Sequence, residues 1–578
     1  MAVAATYPGT PSSEIGTVLE RLSEKSGMYF EYSTNEKVAL EVGAAAAASG
    51  LRSFVFMKHV GLNVASDPFV SLGYVGVRGG MVVLSADDPS MHSSQNEQDS
   101  RYYARLANIP MLEPSTPQEC KEMLMAGYDL SERLGCPILL RTSTRVNHAR
   151  GIVDIGDFER IDREGKFEKD PMRFVPVPSV ARAARSRQLE RMKKAKELSE
   201  VSPFNREEGD GSVGVIASGV AYTYAKEFLE DVRILKLGFT FPLPDERMKR
   251  FIASFDRVVV LEELTPLLEE RALQLSKGTQ CEAQIIGKIS GNLPEAYEYS
   301  PDTLNALKGL VKVRKGHIPV NCEPIPLPNR PPVLCAGCPH RATFYAVNKA
   351  LAGQEAIFSS DIGCYTLGIN PPLSTADFLL CMGSSVGAAG GFTEATKQKV
   401  IAFIGDSTLF HAGIPGIINA VFNDHRYVLV VLDNRTTAMT GHQPHPGTGR
   451  SSGRTTEPLD IVSLIKGCGV KHVEKVDPYD LKATIDVMKK ALEMDAFSVV
   501  VSSRVCPLAV ARKGRVVSES KAFAIDQRKC VKCKTCLTKF TCPALAFDGK
   551  NVEIVPEICI GCGCCAQVCP KKAIEVPQ

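Results

Sequence analysis

Nine of the nineteen cysteines fall within residues 529–578, in two runs: Cys530, Cys533, Cys536 and Cys542 before Pro543, then Cys559, Cys562, Cys565 and Cys569 before Pro570. Three thiolates at two-residue gaps can wrap one [4Fe–4S] cube, while the more distant cysteine before proline reaches across to the other. On that pattern Cys530, Cys533, Cys536 and Cys569 hold one cluster, and Cys559, Cys562, Cys565 and Cys542 hold the second. The first run has five residues, Leu537 to Thr541, between its third and fourth cysteines, so the chain before Cys542 must bulge. Cys564 is left as an extra, non-ligating thiol. A zinc ribbon needs four ligands in two pairs, and a disulfide framework needs an oxidising compartment, so neither suits this spacing. A tail of this kind moves single electrons, which the rest of the chain must generate.

A second constellation sits at two strand ends. Residues 400–404 are an apolar run ending in Gly405, Asp406 and Ser407, and residues 427–432 are another, ending in Asp433 and Asn434. Oxygen donors 28 residues apart, on strands expected to be neighbours, suit Mg2+ shared with a diphosphate, and glycine lets a phosphate approach the backbone at a helix start. The pair resembles the thiamine diphosphate motif, with Ser407 where glycine is common. By that likeness the side chains of Asp406 and Asn434 and the carbonyl of Thr436 become the metal ligands.

These sites need scaffolding. At 578 residues the chain is too long for one core, and a prior of about 150 residues per domain suggests three or four. Hydrophobic content of 44 %, 46 glycines, 36 prolines and no tryptophan indicate an α/β multidomain protein, not a fibrous or disordered one. The net charge of +3 implies no general attraction to nucleic acid or membrane. No apolar run is long enough to span a bilayer and no leader pattern opens the chain, so a cytoplasmic, oxygen-poor setting is expected.

Strand-like runs at 53–60, 80–86 and 136–141 alternate with helical stretches at 36–49 and 117–134, the rhythm of a parallel sheet over residues 1–157. Residues 158–208 read as a charged linker with an exposed helix, whose Lys/Arg-rich stretch 185–196 is a solvated face or, alternatively, a phosphate-binding one. Strands at 211–217, 231–236 and 257–262 mark a middle α/β domain over 209–328, closed by a proline-rich boundary. A third α/β domain is expected over 329–522 and a ferredoxin-like domain over 523–578. Cys120, Cys136, Cys281, Cys322, Cys381 and Cys468 read as buried packing thiols.

Six segments then point to one family: Tyr7-Pro-Gly-Thr-Pro-Ser-Ser13, Lys58-His-Val-Gly-Leu-Asn63, His92-Ser-Ser-Gln-Asn-Glu-Gln98, Cys335-Ala-Gly-Cys-Pro-His-Arg341, Asp361-Ile-Gly-Cys364 and Thr440-Gly-His-Gln-Pro444. Together they resemble the large subunits of the indolepyruvate:ferredoxin oxidoreductases, within the 2-oxoacid:ferredoxin oxidoreductases. The likeness spans nearly the whole chain, although relatives usually carry a strand and helix before the Tyr-Pro-Gly-Thr-Pro turn and this chain has six residues there. It implies doubly wound parallel sheets that bind thiamine diphosphate, a pyrimidine domain first, a diphosphate domain third, and a C-terminal two-cluster ferredoxin-like domain.

The resemblance also implies residue roles. Glu36, at the start of a helix, would hold the aminopyrimidine ring of the cofactor in its proton-relaying state, with Glu41 as the alternative on the same helix. Thr10 would approach the cofactor from the preceding turn, and Thr440 and Gly441 would also bind the cofactor. His59 and Arg101, with Asn63 and His340 as further candidates, could steady a substrate carboxylate or a proton. Cys335, Cys338, Cys364 and Cys506 occupy the places where related enzymes hold a third [4Fe–4S] cluster next to the thiamine, although buried thiols also pack as small hydrophobes. The implied partners are a small second (beta) subunit, coenzyme A, an aryl 2-oxoacid and ferredoxin, in a dimer of two-subunit units. No Gly-rich dinucleotide fingerprint argues for NAD as acceptor. A non-oxidative decarboxylase and a non-catalytic electron-transfer subunit are the rival functions.

Overall fold

The computed structural model describes residues 1–156, 164–277, 283–314, 326–328, 330–512 and 521–577. The chain divides into two units, Met1–Pro324 and Ile325–Gln578.

The first unit is built on two sheets. The larger has seven strands in the order Phe239–Phe241, Met111–Leu112, Ile138–Ser143, Met81–Asp87, Ser53–Lys58, Val3–Thr6 and Tyr29–Tyr32. All its neighbours run parallel except Phe239–Phe241, which lies antiparallel to Met111–Leu112. Val3–Thr6, the residues just before the Tyr7 turn, are thus an interior strand paired on both sides. The central strands are mainly apolar and buried along their whole length, as a parallel sheet covered by helices requires. The second sheet has five strands, Gln284–Ile286, Arg257–Leu261, Val213–Ser218, Val232–Leu237 and Arg206–Glu208, the last antiparallel.

One expectation changes here. The helix expected within the charged stretch is Pro178–Glu200, 23 residues long, and one side of it is buried where an exposed helix was expected. Val180, Ala184, Gln188, Ala195 and Ser199 recur at helical spacing along its buried side. Gln188 Nε2 donates to the Ala107 carbonyl at 2.8 Å, and Arg191 Nη2 donates to the carbonyls of Gly73 (2.8 Å) and Tyr74 (3.0 Å). The charge run conceals this because arginine lays its apolar stem on a surface while its fork serves backbone carbonyls.

The second unit holds a five-stranded, all-parallel sheet in the order Ala356–Ser359, Lys399–Gly405, Val428–Asp433, Ser498–Ser503 and His472–Val476. Apolar clusters cover both faces, one centred on Phe344, Phe403 and Val430, the other on Ile404, Leu429 and Ile417. The tail folds as short antiparallel pairs, Ala524–Ile525 with Ile574–Glu575 and Leu545–Phe547 with Val552–Ile554. It packs on this domain through Phe540, Leu545 and Val568 against Tyr345 and Leu481. Among the described residues no helix is long and apolar enough to cross a membrane. Of the thiols expected in cores, Cys136 is buried, Cys120 and Cys468 are half-buried and Cys381 is exposed, because its segment 378–383 runs along the surface; Cys281 and Cys322 lie outside the described residues.

Candidate functional site

In the first unit the motif residues gather beyond the carboxyl ends of parallel strands. The Tyr7 turn follows Val3–Thr6, Lys58 ends the neighbouring strand with His59 next, and Asp88 follows the strand after that. Gly9 lies against Lys58, where an added Cβ would come within 2.8 Å of the lysine Cβ, and Ser93 Oγ donates to the Thr10 carbonyl at 3.3 Å.

Glu36 opens the helix Glu36–Ala48, capped by the Asn35 side chain, which accepts from Val38 N at 2.9 Å. It is 5 % exposed and rests against Gly61, where a Cβ would lie 2.6 Å from Glu36 Oε1. The glycine of the Lys58–Asn63 motif is therefore a clearance for this carboxylate. Glu41, the alternative, points outward and pairs with Lys37. His59 is fully enclosed. Its Nε2 lies 3.3 Å from the Asn96 carbonyl, and its Nδ1 has no hydrogen-bond partner among the described residues. Burial, more than any neighbouring charge, holds the imidazole below its ordinary value, hence neutral.

Arg101 departs from expectation. Its guanidinium is 2 % exposed and spent inside the unit, on Asp99 (2.7 Å), Glu262 (2.6 Å) and the carbonyls of Glu263 (2.9 Å) and Thr265 (2.7 Å). It ties the first sheet's loops to the segment after Arg257–Leu261, so its fork is committed within the unit. Removing one member of a buried ion network strands the others, at about 3–5 kcal/mol. Arg101→Met is accordingly expected to lower the chemical denaturation midpoint of this unit markedly, and an unchanged midpoint would refute the structural role.

In the second unit Asp406 and Asn434 follow adjacent paired strands, with Gly405 opposite Leu432. Asp406 is 2 % exposed. Its Oδ1 accepts from Ser407 N (2.8 Å), and its Oδ2 accepts from Arg435 N (2.7 Å) and faces His445 Nε2 at 3.0 Å. Burial pushes this carboxyl up, but His445 and the two N–H donors outweigh it and hold the group below the usual carboxylate range. Asp433 goes the other way, raised by burial and by Asp406 beside it. Its Oδ2 accepts from Ser503 Oγ (2.7 Å), while its Oδ1 has no partner among the described residues. Asn434 Oδ1 accepts from Thr436 N (3.1 Å), and its Nδ2 lies 3.2 Å from His340 Nε2.

The loop beyond is closed on itself. Thr440 Oγ1 donates to Gln443 Oε1 (2.6 Å), Thr437 N donates to the Gln443 carbonyl (3.0 Å), and Gly441 takes a φ of +126° that side-chain-bearing residues rarely adopt. Thr437 Oγ1 donates to Ser407 Oγ at 2.9 Å, joining this loop to the Asp406 turn. Gly405, Asp406, Ser407, Asn434, Thr436, Thr440 and Gly441 thus lie along one continuous rim. Two buried carboxylates side by side, one with an unpartnered oxygen, are a donor set that fits a hard divalent cation. His445 is the neighbour of Asp406 that motif reading missed, and Asp433, named there only as a strand end, lies beside it.

The cysteines converge as quartets. One small cavity is lined by Cys542, Cys559, Cys562 and Cys565, and another by Cys530, Cys533, Cys536 and Cys569. Each cavity therefore takes three cysteines from one run and one from the other. Cys536–Phe540 forms a wide π-type turn that takes up the bulge before Cys542. Cys564 is buried beside them, its Sγ 4.0 Å from the Cys562 carbonyl. Cys335, Cys338, Cys364 and Cys506 also influence one another electrostatically, and burial pushes the Cys338 thiol up to about 12 and Cys364 to about 11. Among the described residues no three His, Cys, Asp or Glu side chains close on a single metal ion. Each tail quartet instead lines a cavity of its own.

Residues 1–200 match the family model for the thiamine diphosphate-binding part of pyruvate flavodoxin/ferredoxin oxidoreductases, which includes the Pro178–Glu200 helix. Residues 361–502 match the C-terminal thiamine pyrophosphate-binding domain of thiamine pyrophosphate enzymes, and residues 522–570 match the 4Fe-4S dicluster domain. Indolepyruvate oxidoreductase subunit IorA of Methanothermobacter thermautotrophicus is 50 % identical over 100 % of this chain and 94 % of its own length. The chain belongs to the IorA family of oxidoreductase subunits. The Archaeoglobus fulgidus IorA subunit is 44 % identical over 99 % of this chain and 94 % of its own. A solved 2-oxoglutarate:ferredoxin oxidoreductase of Magnetococcus marinus covers 50 % of this chain and 59 % of its own at 13 % identity and a TM-score of 0.38, too slight a likeness to argue from. Members of the IorA family are subunits of larger enzymes, and this chain brings thiamine-diphosphate-binding domains and iron–sulfur ligands to one polypeptide.

Proposed function

We propose that this chain is the catalytic large subunit of an enzyme that oxidatively decarboxylates aryl 2-oxoacids, indolepyruvate among them. Coenzyme A would take up the acyl group, giving arylacetyl-CoA and CO2, and two one-electron transfers would reduce ferredoxin. The observation that carries this reading is the pairing, on one chain, of the Asp406–Asn434 rim with a tail that gathers eight cysteines into two quartets. The relatives' name supplies the substrate class.

Bound thiamine diphosphate would supply the carbon nucleophile that adds to the 2-oxoacid carbonyl and the electron sink through which CO2 departs. Asp406, Asn434 and the Thr436 carbonyl would hold Mg2+ on its diphosphate, with the Asp406 turn presenting backbone N–H groups. Glu36 would hold a proton at the pyrimidine nitrogen, Gly61 giving it room, and Thr10 would flank the same ring. Enclosed and neutral His59 orients the loop around Asn96 rather than carrying charge. Cys335, Cys338, Cys364 and Cys506 would hold a third cluster, since buried thiols with raised proton affinity become thiolates when a cationic iron centre replaces the proton. A small second subunit completes the cytoplasmic enzyme.

The test is anaerobic reduction of a low-potential dye by the two-subunit protein given indolepyruvate, coenzyme A, thiamine diphosphate and Mg2+. Reduction that requires every component is the expected result. Intact clusters and bound thiamine with no reduction by any aryl 2-oxoacid would overturn the reading.

The crosswise quartets give a further expectation. Cys542→Ser should remove the signal of the centre held by Cys559, Cys562 and Cys565, though Cys542 belongs to the other run, and leave the Cys530 centre intact. Electron paramagnetic resonance of the reduced protein distinguishes the two. Loss of the Cys530 centre instead would mean that each run ligates its own cube.

A further inference from the structure

The arginine that ends the Cys335–Arg341 motif has no task in the chemistry above. It lies in the first turn of the helix Pro339–Leu351 and is 3 % exposed. Its Nη1 donates to the Thr541 carbonyl at 2.7 Å and to Thr541 Oγ1 at 2.9 Å, and its Nη2 donates to the Leu334 carbonyl. Those two carbonyls belong to the residues immediately before Cys542 and Cys335. Its Nε is buried and has no hydrogen-bond partner among the described residues. The ionisable neighbours whose charge it feels are the thiols of Cys542, Cys338 and Cys335, and no carboxylate among the described residues forms a salt bridge with it.

A buried guanidinium that meets only neutral carbonyls is costly, because desolvation is left uncompensated. It becomes favourable beside an anionic group. The Cys542 quartet supplies one when loaded, since four thiolates on a cube carry net negative charge that grows by one on reduction. In a buried, low-dielectric place a fixed cation stabilises the more negative, reduced state, so it raises the centre's reduction potential.

We propose that Arg341 sets the reduction potential of the iron–sulfur centre that Cys542 helps to hold, keeping it higher than it would otherwise be. Arg341 acts on that centre as a positioning and tuning residue. None of Cys530, Cys533, Cys536 and Cys569 is among the thiols whose charge Arg341 feels, which makes their centre the internal control. The proposal rests on the tail binding two clusters, which the unaltered protein reveals on its own.

The experiment is a redox titration followed by electron paramagnetic resonance on the two-subunit enzyme, with Cys542→Ser assigning the signals. In R341Q the midpoint of the Cys542 centre is expected to move to more negative potential, while the Cys530 centre stays at its wild-type value. R341K keeps the charge but cannot span both carbonyls, so a smaller shift of the same centre is expected. Unchanged potentials, an equal shift of both centres, or a shift as large in R341K as in R341Q would overturn the proposal. If R341Q fails to assemble its clusters, R341M, which also removes the charge, decides: a negative shift confined to the Cys542 centre upholds the role, and wild-type potentials reject it. Absence of either centre in the unaltered protein would defeat the two-cluster reading, and this inference with it.

Discussion

Asp406→Ala should cost the protein its thiamine diphosphate and Mg2+, and its turnover with them. Partners one step removed from a metal already cost ~10–100-fold in affinity when mutated, so loss of a direct oxygen should exceed that. The local geometry sharpens the expectation. Asp406 meets two backbone N–H groups and His445, all within 3.0 Å, so its carboxylate stays ionised and fixed in place before any cation arrives. Alanine removes the charge and also strands the N–H groups of Ser407 and Arg435. Asp406→Asn separates the two effects, because an amide oxygen still accepts while the negative charge is gone. Calorimetric titration with thiamine diphosphate and Mg2+ should find binding lost in the alanine variant and weakened in the asparagine variant. The tail clusters should be spectrally unchanged in both, because their cavities are lined by other residues. Wild-type affinity in Asp406→Ala would remove this carboxylate from the ligand set and move attention to Asp433, whose Oδ1 lacks a partner among the described residues.

What could be read from residues alone was what depends on short-range pattern. Apolar runs such as 53–60 and 400–404 are strands because β-rich stretches bounded by turn residues have few other uses. They are observed as Ser53–Lys58 and Lys399–Gly405. The cysteine quartets were legible for the same reason, as spacing and geometry are tightly linked around a cube. Long-range contacts were not legible. His445 meets Asp406 across 39 positions, and Arg101 meets Glu262 across 161, so neither the added member of the rim nor the loss of the expected substrate arginine could be seen locally. Phe239–Phe241 offers only three residues and still joins the first sheet, a pairing made by topology. The buried side of the Pro178–Glu200 helix shows the same limit, since its stripe of Val180, Ala184, Gln188 and Ala195 is too sparsely apolar to stand out among the ten charged residues of 178–200.

Glu36→Gln is the second large effect expected, a fall in turnover of about 10²–10⁴-fold, the range typical of losing one proton-transfer group. Glutamine matches glutamate in shape, so the fit against Gly61 and the Asn35 cap should survive, and thiamine diphosphate should still bind. The loss should therefore fall on kcat, with cofactor affinity within a few-fold of wild type. Glu41→Gln is the control on the same helix: its carboxylate is partly exposed and paired with Lys37, an arrangement worth at most about 1 kcal/mol and remote from the enclosed face. Gly61→Ala approaches Glu36 from the other side. Its methyl would enter the space held by the carboxylate, whose Oε1 lies 2.6 Å from the added carbon, so the carboxylate must swing away or the helix His59–Val64 must shift. A turnover loss in Gly61→Ala resembling that of Glu36→Gln, with Glu41→Gln near wild type, would identify the orientation of this one carboxylate as the quantity that matters. Full turnover in Glu36→Gln would instead require another group to hold the pyrimidine proton, and the enclosed position of Glu36 would then serve only to start its helix.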